Sequence, residues 1–235
     1  MSTRFSFEAP IHHLQDFEDL QDYHFTLSML YSDERYKKFY KQQSIKGEKT
    51  IWLDNSYNEQ LSADKLEALV EIAEEVGVQK VISPDSPKWS IGEISTAFQE
   101  ATGAFRREEL IVVISSLDMH AYLKLEGAMH FAVSYWNRPK MQDILMKLLP
   151  CHFLGLLSVP EILKFHPPTC DTSMPIKLAL EGMSLRDWAA KDYPHIYTHE
   201  LGEKGGDFFH TKMTKEQVAL ARRNILRLKE VCNEE

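Results

Sequence analysis

Three aspartates of this sequence follow short apolar segments, at the positions where predicted strands end. Segment 51–53 leads into Asp54, segment 81–84 into Asp85 and segment 167–170 into Asp171. Carboxylates that share one pocket repel each other and take unequal pKa values. Such a cluster suits chemistry in which one carboxylate is an ionised nucleophile while another carries a proton.

An aspartate after a strand also has common structural roles, because it caps helices and forms turns. The three aspartates alone therefore predict only that an acidic pocket lies at the strand ends. Three classes of enzyme remain open at this point: a glycosidase, an aldolase-like lyase and a metal-dependent hydrolase.

Short apolar segments alternate with helix-like segments along most of the chain. They are rich in β-branched and aromatic residues and do not alternate strictly with polar ones, which is typical of parallel strands buried on both faces. The predicted strands are Phe25–Tyr31, Thr50–Asp54, Gln79–Ser83, Leu110–Ser115, His130–Ser134 and His152–Gly155, with weaker candidates at Thr169–Asp171 and His195–Thr198.

Helix-start and helix-stop residues lie between these segments. The predicted signals are capping boxes at Ser90/Glu93, Ser158/Glu161 and Thr214/Gln217, a cap at Asp118, and Gly77 as the end of a helix that follows Ser62. Repeated strand–helix alternation predicts an α/β fold, a single (β/α)8 TIM-type barrel with some abbreviated helices. A doubly wound open sheet is the alternative, and it is disfavoured because no Gly-x-Gly-x-x-Gly turn follows a strand.

One domain is predicted for residues 1–235. Within it we expect an N-terminal cap segment at 1–20, a loop at 200–212 and a closing helix at 214–232. The closing helix is indicated by apolar residues that recur on one face of its pattern.

Composition limits the classes of protein. The net charge of -8 argues against an unassisted basic surface for nucleic acid. Cys151, Cys170 and Cys232 are too scattered for a disulfide framework or a zinc site, and we expect no metal. No apolar run reaches the length of about 18 residues that a membrane helix needs. We therefore expect a cytoplasmic protein with reduced thiols and no membrane partner.

Four segments, in this order, resemble motifs of the tRNA-guanine transglycosylase superfamily. They are Leu53–Glu59, Ser83–Asp85, Phe153–Leu163 and Cys170–Leu180. They are most similar to the compact DNA-guanine transglycosylases of phages and bacteria, which insert 7-deazaguanine bases into DNA. The ordered match extends from about Phe25 to Glu181.

The resemblance implies a role for each matched residue. Asp171 is the expected nucleophile on C1′ of the target nucleotide, Asp54 the general acid/base, and Asp85 the group that binds the Watson–Crick edge of the base. The other residues expected to bind substrate are Asn55, Ser115, Gly155 and Tyr135, and the candidates for stacking on the base are Tyr135, Tyr57 and Trp136. The implied reaction exchanges guanine through a covalent Asp171 intermediate and needs no cofactor.

The resemblance also implies the partners. We expect DNA rather than tRNA, because nothing after Asp171 offers the cysteine-rich zinc site of the tRNA enzymes. A free 7-deazaguanine base is the expected second substrate, and the net charge of -8 leaves a homodimer or a partner protein open. The alternatives are a tRNA-guanine transglycosylase, a nucleoside or glycoside hydrolase, and a non-catalytic barrel subunit.

Overall fold

The protein is a (β/α)8 barrel, as the strand–helix alternation predicts. The computed structural model describes residues 2–56, 65–86, 88–135, 137–155, 159–190 and 208–233. Eight parallel strands form one sheet in the order β1-β8-β7-β6-β5-β4-β3-β2, a nearly closed barrel with helices between the strands. The doubly wound alternative is therefore excluded.

The strands are short and largely buried. They are β1 Arg4–Phe7, β2 His24–Leu27, β3 Ile51–Asp54, β4 Lys80–Ile82, β5 Leu110–Val113, β6 His130–Ser134, β7 His152–Leu154 and β8 Thr169–Thr172. The sequence did not predict β1, which lies within the segment expected to be a cap. The predicted strand at Phe25–Tyr31 is shorter than expected because residues Ser28–Ser32 form a 3-10 helix. The predicted strand at His195–Thr198 lies outside the described residues.

The helices of the described residues follow the strands. They are α1 Glu34–Lys46, α2 Leu66–Val76, α3 Ile91–Ala101, α4 Leu117–Leu125, α5 Leu145–Leu148, α6 Val159–Phe165, α7 Met174–Leu180, α8 Leu185–Ala190 and α9 Lys215–Asn233, with further 3-10 helices at Ile11–Leu20, Arg138–Lys140 and Phe208–His210. None of them is long and apolar enough to span a membrane.

The helix caps agree with the sequence except at α4. The capping box of Ser90 and Glu93 begins α3, and Gly77 ends α2 in the left-handed conformation. Thr214 and Gln217 exchange hydrogen bonds before α9. The predicted cap at Asp118 is wrong: the Ser116 hydroxyl accepts the Met119 N–H at 3.1 Å, which places Asp118 in the first turn. Ser158 and Ser62 lie outside the described residues.

By its internal contacts the chain divides into two compact units, Met1–Asp22 with Phe153–Glu235, and Tyr23–His152. In the first unit α9 packs along α7. The buried Asn224 side chain fixes α9: it accepts the Leu185 N–H at 2.8 Å and donates to the carbonyls of Pro175 and Met183 at 3.1 Å. Leu185 is buried, and a buried N–H left without a partner is costly.

The free edge of β1 in the first unit is completed by side chains. Strand β1 lies at one end of the strand order, so its second edge faces no strand of the described sheet. Gln21 takes that place, because its Oε1 accepts the Phe7 N–H at 2.6 Å while its Nε2 donates to the Phe7 carbonyl at 2.8 Å. At Phe5 the Asp22 carboxylate accepts the N–H at 2.8 Å, and the backbone N–H of Asp22 donates to the Phe5 carbonyl at 2.9 Å. The edge amides are therefore satisfied without a strand partner.

The second unit contains strands β2 to β6, paired in parallel and in sequence order. Aromatic rings pack near the amino ends of β2 and β3. The Tyr23 and Trp52 centroids are 4.6 Å apart, and the Phe25 ring stacks on His152 at 5.4 Å. This packing fixes the two strands whose carboxyl ends carry the polar residues described next.

Candidate active site

The end of β3 presents Asp54, Asn55 and Ser56 in succession, all buried. Ser56 has a φ of 57°, in the left-handed region that a serine rarely adopts. Its hydroxyl oxygen accepts hydrogen bonds from the Ser28 hydroxyl at 2.9 Å and from the Met29 N–H at 3.2 Å. These two bonds tie the end of β3 to the end of β2 and stabilise the strained turn, which is a common feature of functional sites.

Asn55 links the ends of β3 and β4. The two strands pair through Leu53 and Val81, which brings their carboxyl ends side by side. The Asn55 Nδ2 amide donates to the Ser83 carbonyl at 2.8 Å and to Asp85 Oδ1 at 2.7 Å. Both protons of this amide are therefore used, and one carboxyl oxygen of Asp85 is held in a fixed position.

Asp85 has the electrostatic character of a proton carrier. Burial raises the pKa of its carboxyl to about 6, and the hydrogen bond from Asn55 limits that rise. Among the residues that the structure describes, no donor contacts its second oxygen, Oδ2. A carboxyl with a pKa near neutrality and one open oxygen can accept a proton from a ligand and return it.

Ser83 is a site residue that the sequence analysis did not single out. Its side chain is buried, and within the described part of the chain its hydroxyl has no hydrogen-bond partner. Its carbonyl accepts from Asn55, so the serine adjoins the Asn55–Asp85 pair. A buried hydroxyl without a partner costs free energy, which a bound ligand recovers. A serine between an apolar strand and Pro84 gives no sequence signal of this, since serine is common in turns.

The structure does not bring Ser115 into contact with this pair. Ser115 is exposed after β5, and its hydroxyl contacts the Met119 sulfur at 3.8 Å. Tyr135 is partly buried in the turn after β6. Tyr57 and Trp136, the other candidates for stacking, lie outside the described residues.

In the first unit, Asp171 and Gly155 are brought together. Asp171 lies buried in β8, and its Oδ1 accepts the Gly155 N–H at 3.1 Å. Gly155 has a φ of 65°, which favours glycine. After β8 the Thr172 hydroxyl oxygen accepts the Met174 N–H at 3.0 Å. The residues at this strand end therefore shape the turn into α7 as well as presenting a carboxylate.

Neither metal ligands nor a buried amine are found in the described part of the chain. Within it, no group of three or more His, Cys, Asp or Glu side chains is placed to hold a metal ion. The lysines that the structure describes are exposed or partly exposed, and none is buried. Among the described residues, the polar groups of this candidate site are therefore carboxyl, amide and hydroxyl groups.

The solved structures similar to this chain include a lyase and a putative synthetase. N-acetylneuraminate lyase from Mycoplasma synoviae has a TM-score of 0.54 at 12% identity, covering 97% of this chain and 96% of the other. A putative dihydrodipicolinate synthetase from Pseudomonas aeruginosa has a TM-score of 0.53 at 11% identity, covering 97% and 99%. CdNal from Clostridium difficile, in complex with mannosamine, has a TM-score of 0.52 at 14% identity, covering 97% and 99%. At these identities the likeness establishes the barrel fold.

No protein-family model matches the sequence, and no curated protein matches it.

These neighbours overturn the guanine transglycosylase interpretation. The predicted exchange of guanine for a 7-deazaguanine, the DNA or tRNA substrate, and the alternatives of a hydrolase or a non-catalytic subunit find no support among them. The segment around Asp171 also has a structural cause, because the Thr172 hydroxyl accepts the Met174 N–H in the turn before α7 and Pro175 occupies the first turn of that helix. Barrel enzymes of many functions need such turns, so the ordered resemblance to one family was not specific.

Proposed function

We propose that this protein is a lyase of small carbonyl compounds that works by general acid–base catalysis at Asp85. The observation that carries this proposal is the Asp85 carboxyl, which has a pKa of about 6; Asn55 holds one of its oxygens, and no donor among the described residues contacts the other. An acid or base with a pKa close to the working pH exchanges protons efficiently in both directions. The hydroxyl of Ser83, two residues before Asp85, has no hydrogen-bond partner within the described part of the chain and can supply a donor.

The proposed reaction is a retro-aldol cleavage. The Asp85 carboxylate takes the proton of a substrate hydroxyl, and the electron pair of that O–H bond forms a new carbonyl. The neighbouring C–C bond breaks, and its electrons pass to the existing carbonyl as an enolate. The Ser83 hydroxyl donates to the enolate oxygen, which stabilises the developing charge. The protonated Asp85 then returns the proton to the enolate carbon.

Two observations favour this class of reaction. Mycoplasma synoviae N-acetylneuraminate lyase, by its name a lyase, shares the barrel. A carboxyl of raised pKa at a strand end suits proton transfer in a barrel enzyme, whose active sites lie at the carboxyl ends of the strands. A lysine amine is the usual alternative, since it forms a Schiff base with a carbonyl substrate. The described lysines are not buried, so the proposed route runs through the carboxyl instead.

Solvent deuterium incorporation tests the proposal across a range of carbonyl compounds. The protein is incubated in D2O with a panel of aldoses, ketoses and 2-keto acids, and carbon-bound deuterium is followed by NMR. We expect deuterium at the carbon next to a carbonyl, with a loss of at least about 100-fold in Asp85→Asn. The exposed Asp143→Asn variant serves as the matched control and retains the activity. Equal incorporation by wild type and Asp85→Asn would refute the role of Asp85.

A further inference from the structure

We propose a second activity for this site, the interconversion of α-hydroxy aldehydes and the isomeric α-hydroxy ketones by proton transfer between neighbouring carbons. The activity uses the side chains of the proposed lyase, Asp85 and Ser83, but it breaks no C–C bond. It therefore goes beyond the proposed function and can be tested separately from it. The class of substrate is a carbonyl compound that carries a hydroxyl on the adjacent carbon.

The Ser83 hydroxyl matches a pair of neighbouring oxygens on a ligand. Ser83 is 1% exposed, and its hydroxyl has no hydrogen-bond partner in the part of the chain that the structure describes. A hydroxyl can both donate and accept, and a carbonyl oxygen alone would use only the donated hydrogen. A carbonyl with a hydroxyl on the next carbon supplies an acceptor and a donor, so it satisfies both capacities.

Asn55 holds the Asp85 carboxyl close to Ser83. One nitrogen, Asn55 Nδ2, donates to the Ser83 carbonyl at 2.8 Å and to Asp85 Oδ1 at 2.7 Å. The Asp85 side chain is partly exposed, and no donor among the described residues contacts its Oδ2. A ligand that reaches Oδ2 therefore lies next to the residue whose hydroxyl needs partners.

A single carboxyl is sufficient for this reaction. Bonded carbons are about 1.5 Å apart, so an oxygen that removes a proton from one carbon can return it to the next with little movement of the side chain. Burial raises the pKa of Asp85 to about 6, which suits both the removal and the return of the proton. Because no group leaves the substrate, the reaction needs no second acid.

The steps balance through Asp85 and Ser83. The Asp85 carboxylate takes the proton of the hydroxyl-bearing carbon, and the electrons of that C–H bond form a C=C bond to the carbonyl carbon. The Ser83 hydroxyl gives its proton to the former carbonyl oxygen and takes the proton of the neighbouring hydroxyl. The second oxygen then forms the new carbonyl, and the C=C electrons take the proton back from Asp85 at the other carbon.

Three probes separate this activity from the proposed cleavage. Glycolaldehyde labelled with carbon-13 at C1 can exchange its label between C1 and C2, but it has no β-hydroxyl and cannot undergo retro-aldol cleavage. 2-Deoxy-D-ribose has a β-hydroxyl but no α-hydroxyl, so it can be cleaved but not isomerised to a ketose. D-Arabinose labelled at C1 can undergo both reactions.

Carbon-13 NMR follows the label in glycolaldehyde and the formation of ribulose from arabinose. We expect the wild-type protein to catalyse both, with a loss of about 100-fold or more in Asp85→Asn and in Ser83→Ala. The matched control is Ser95→Ala, a buried serine within α3, which keeps the rate within about twofold of wild type. Circular dichroism spectra and urea melts show that the variants are folded.

The inference is overturned if neither α-hydroxy aldehyde is isomerised faster by the wild type than by Asp85→Asn, or if Ser83→Ala isomerises them at the wild-type rate. Isomerisation without cleavage of 2-deoxy-D-ribose supports the inference and contradicts the proposed lyase. Cleavage of 2-deoxy-D-ribose without isomerisation of the other two probes overturns the inference and leaves the proposed lyase in place.

Discussion

At the scale of single residues, the environment of Asp85 defines the chemistry. Burial destabilises its charged form, whereas the Asn55 amide stabilises it, and the balance leaves the pKa at about 6. The next residue, Ser56, helps to position Asn55, because its hydroxyl accepts hydrogen bonds from the Ser28 hydroxyl and the Met29 N–H. The reactive carboxyl thus depends on neighbours that do not themselves react.

Replacing Asn55 shifts the pH dependence of the reaction. Asn55→Ala removes the hydrogen bond that lowers the pKa of Asp85, so this pKa rises above about 6. A hydrogen bond to a charged group stabilises the charged form by enough free energy to lower the pKa of a carboxyl by about one unit. We therefore expect the acid limb of the kcat/KM profile for deuterium exchange to move up by about one pH unit.

The control for this shift is Asn137→Ala, at a partly buried asparagine in the turn after β6. We expect the acid limb of the kcat/KM profile of Asn137→Ala to have the same midpoint pH as that of the wild type. An unchanged limb in Asn55→Ala would mean that the amide does not set the titration of Asp85.

Three residues of this candidate site were named from the sequence, and their functional roles stay predictions. Asp54 and Asp85 were identified because they follow apolar segments at predicted strand ends, and Asn55 was identified through the family resemblance. The roles of Ser83 and Ser56 were not, because they depend on an unsatisfied hydroxyl and a positive φ, neither of which leaves a sequence pattern. Asp171 and Gly155 form a pair in the first unit, and their functional role stays a prediction.

At the scale of elements, the sequence predicted the strands that consist of apolar segments, but it did not predict β1. Strand β1 has two polar residues among its four, Arg4 and Ser6, and it is followed by the 3-10 helix Ile11–Leu20 instead of a regular α-helix. Its edge is completed by Gln21 and Asp22, which pair with backbone groups at long range. Pairing of this kind cannot be inferred from local periodicity, so the strand was interpreted as a cap segment.

Gln21→Ala destabilises the β1 edge. The substitution leaves the buried N–H and C=O of Phe7 without their partners. Each buried group left unpaired costs about 1–3 kcal/mol, so we expect the free energy of unfolding to fall by about 2–6 kcal/mol. Urea denaturation measures this change. Gln15→Ala, on the exposed surface of the same 3-10 helix region, changes it by less than about 0.5 kcal/mol. A loss no larger than that of Gln15→Ala would show that the edge amides find other partners.

At the scale of the whole molecule, the predicted fold was confirmed, whereas the resemblance to guanine transglycosylases was wrong. Strand–helix alternation favoured a barrel over a doubly wound sheet, and the residues alone left an aldolase-like lyase open beside a glycosidase and a metal-dependent hydrolase. The resemblance to guanine transglycosylases selected the wrong class of enzyme. Two of its matched residues have roles in the backbone of the fold, since Gly155 has a positive φ and Pro175 lies in the first turn of α7. A barrel supports many reactions, so function has to be argued from the polar groups at its strand ends.

The stability of the whole chain should depend on pH through Asp85. Its folded pKa of about 6 lies above the unfolded value of about 3.9, so the unfolded chain releases this proton first as pH rises. The free energy of unfolding therefore falls between about pH 4 and pH 6, by up to about 3 kcal/mol, and the loss persists above pH 6.

Asp85→Asn removes this contribution. We expect the stability difference between the variant and wild type to grow in favour of the variant by up to about 3 kcal/mol from pH 4 to pH 7. Urea melts at both pH values measure it, with the exposed Asp143→Asn as the control. A difference that does not change with pH would contradict a raised pKa at Asp85.

The most direct test of the account is a carbon-13 NMR titration of the aspartate side-chain carboxyls between pH 3 and pH 8. The Asp85 signal is assigned as the one that disappears in Asp85→Asn. The account predicts a midpoint near pH 6 for this signal. A midpoint near the ordinary value of about 3.9 would contradict the proton-carrying role of Asp85, and with it the proposed lyase mechanism.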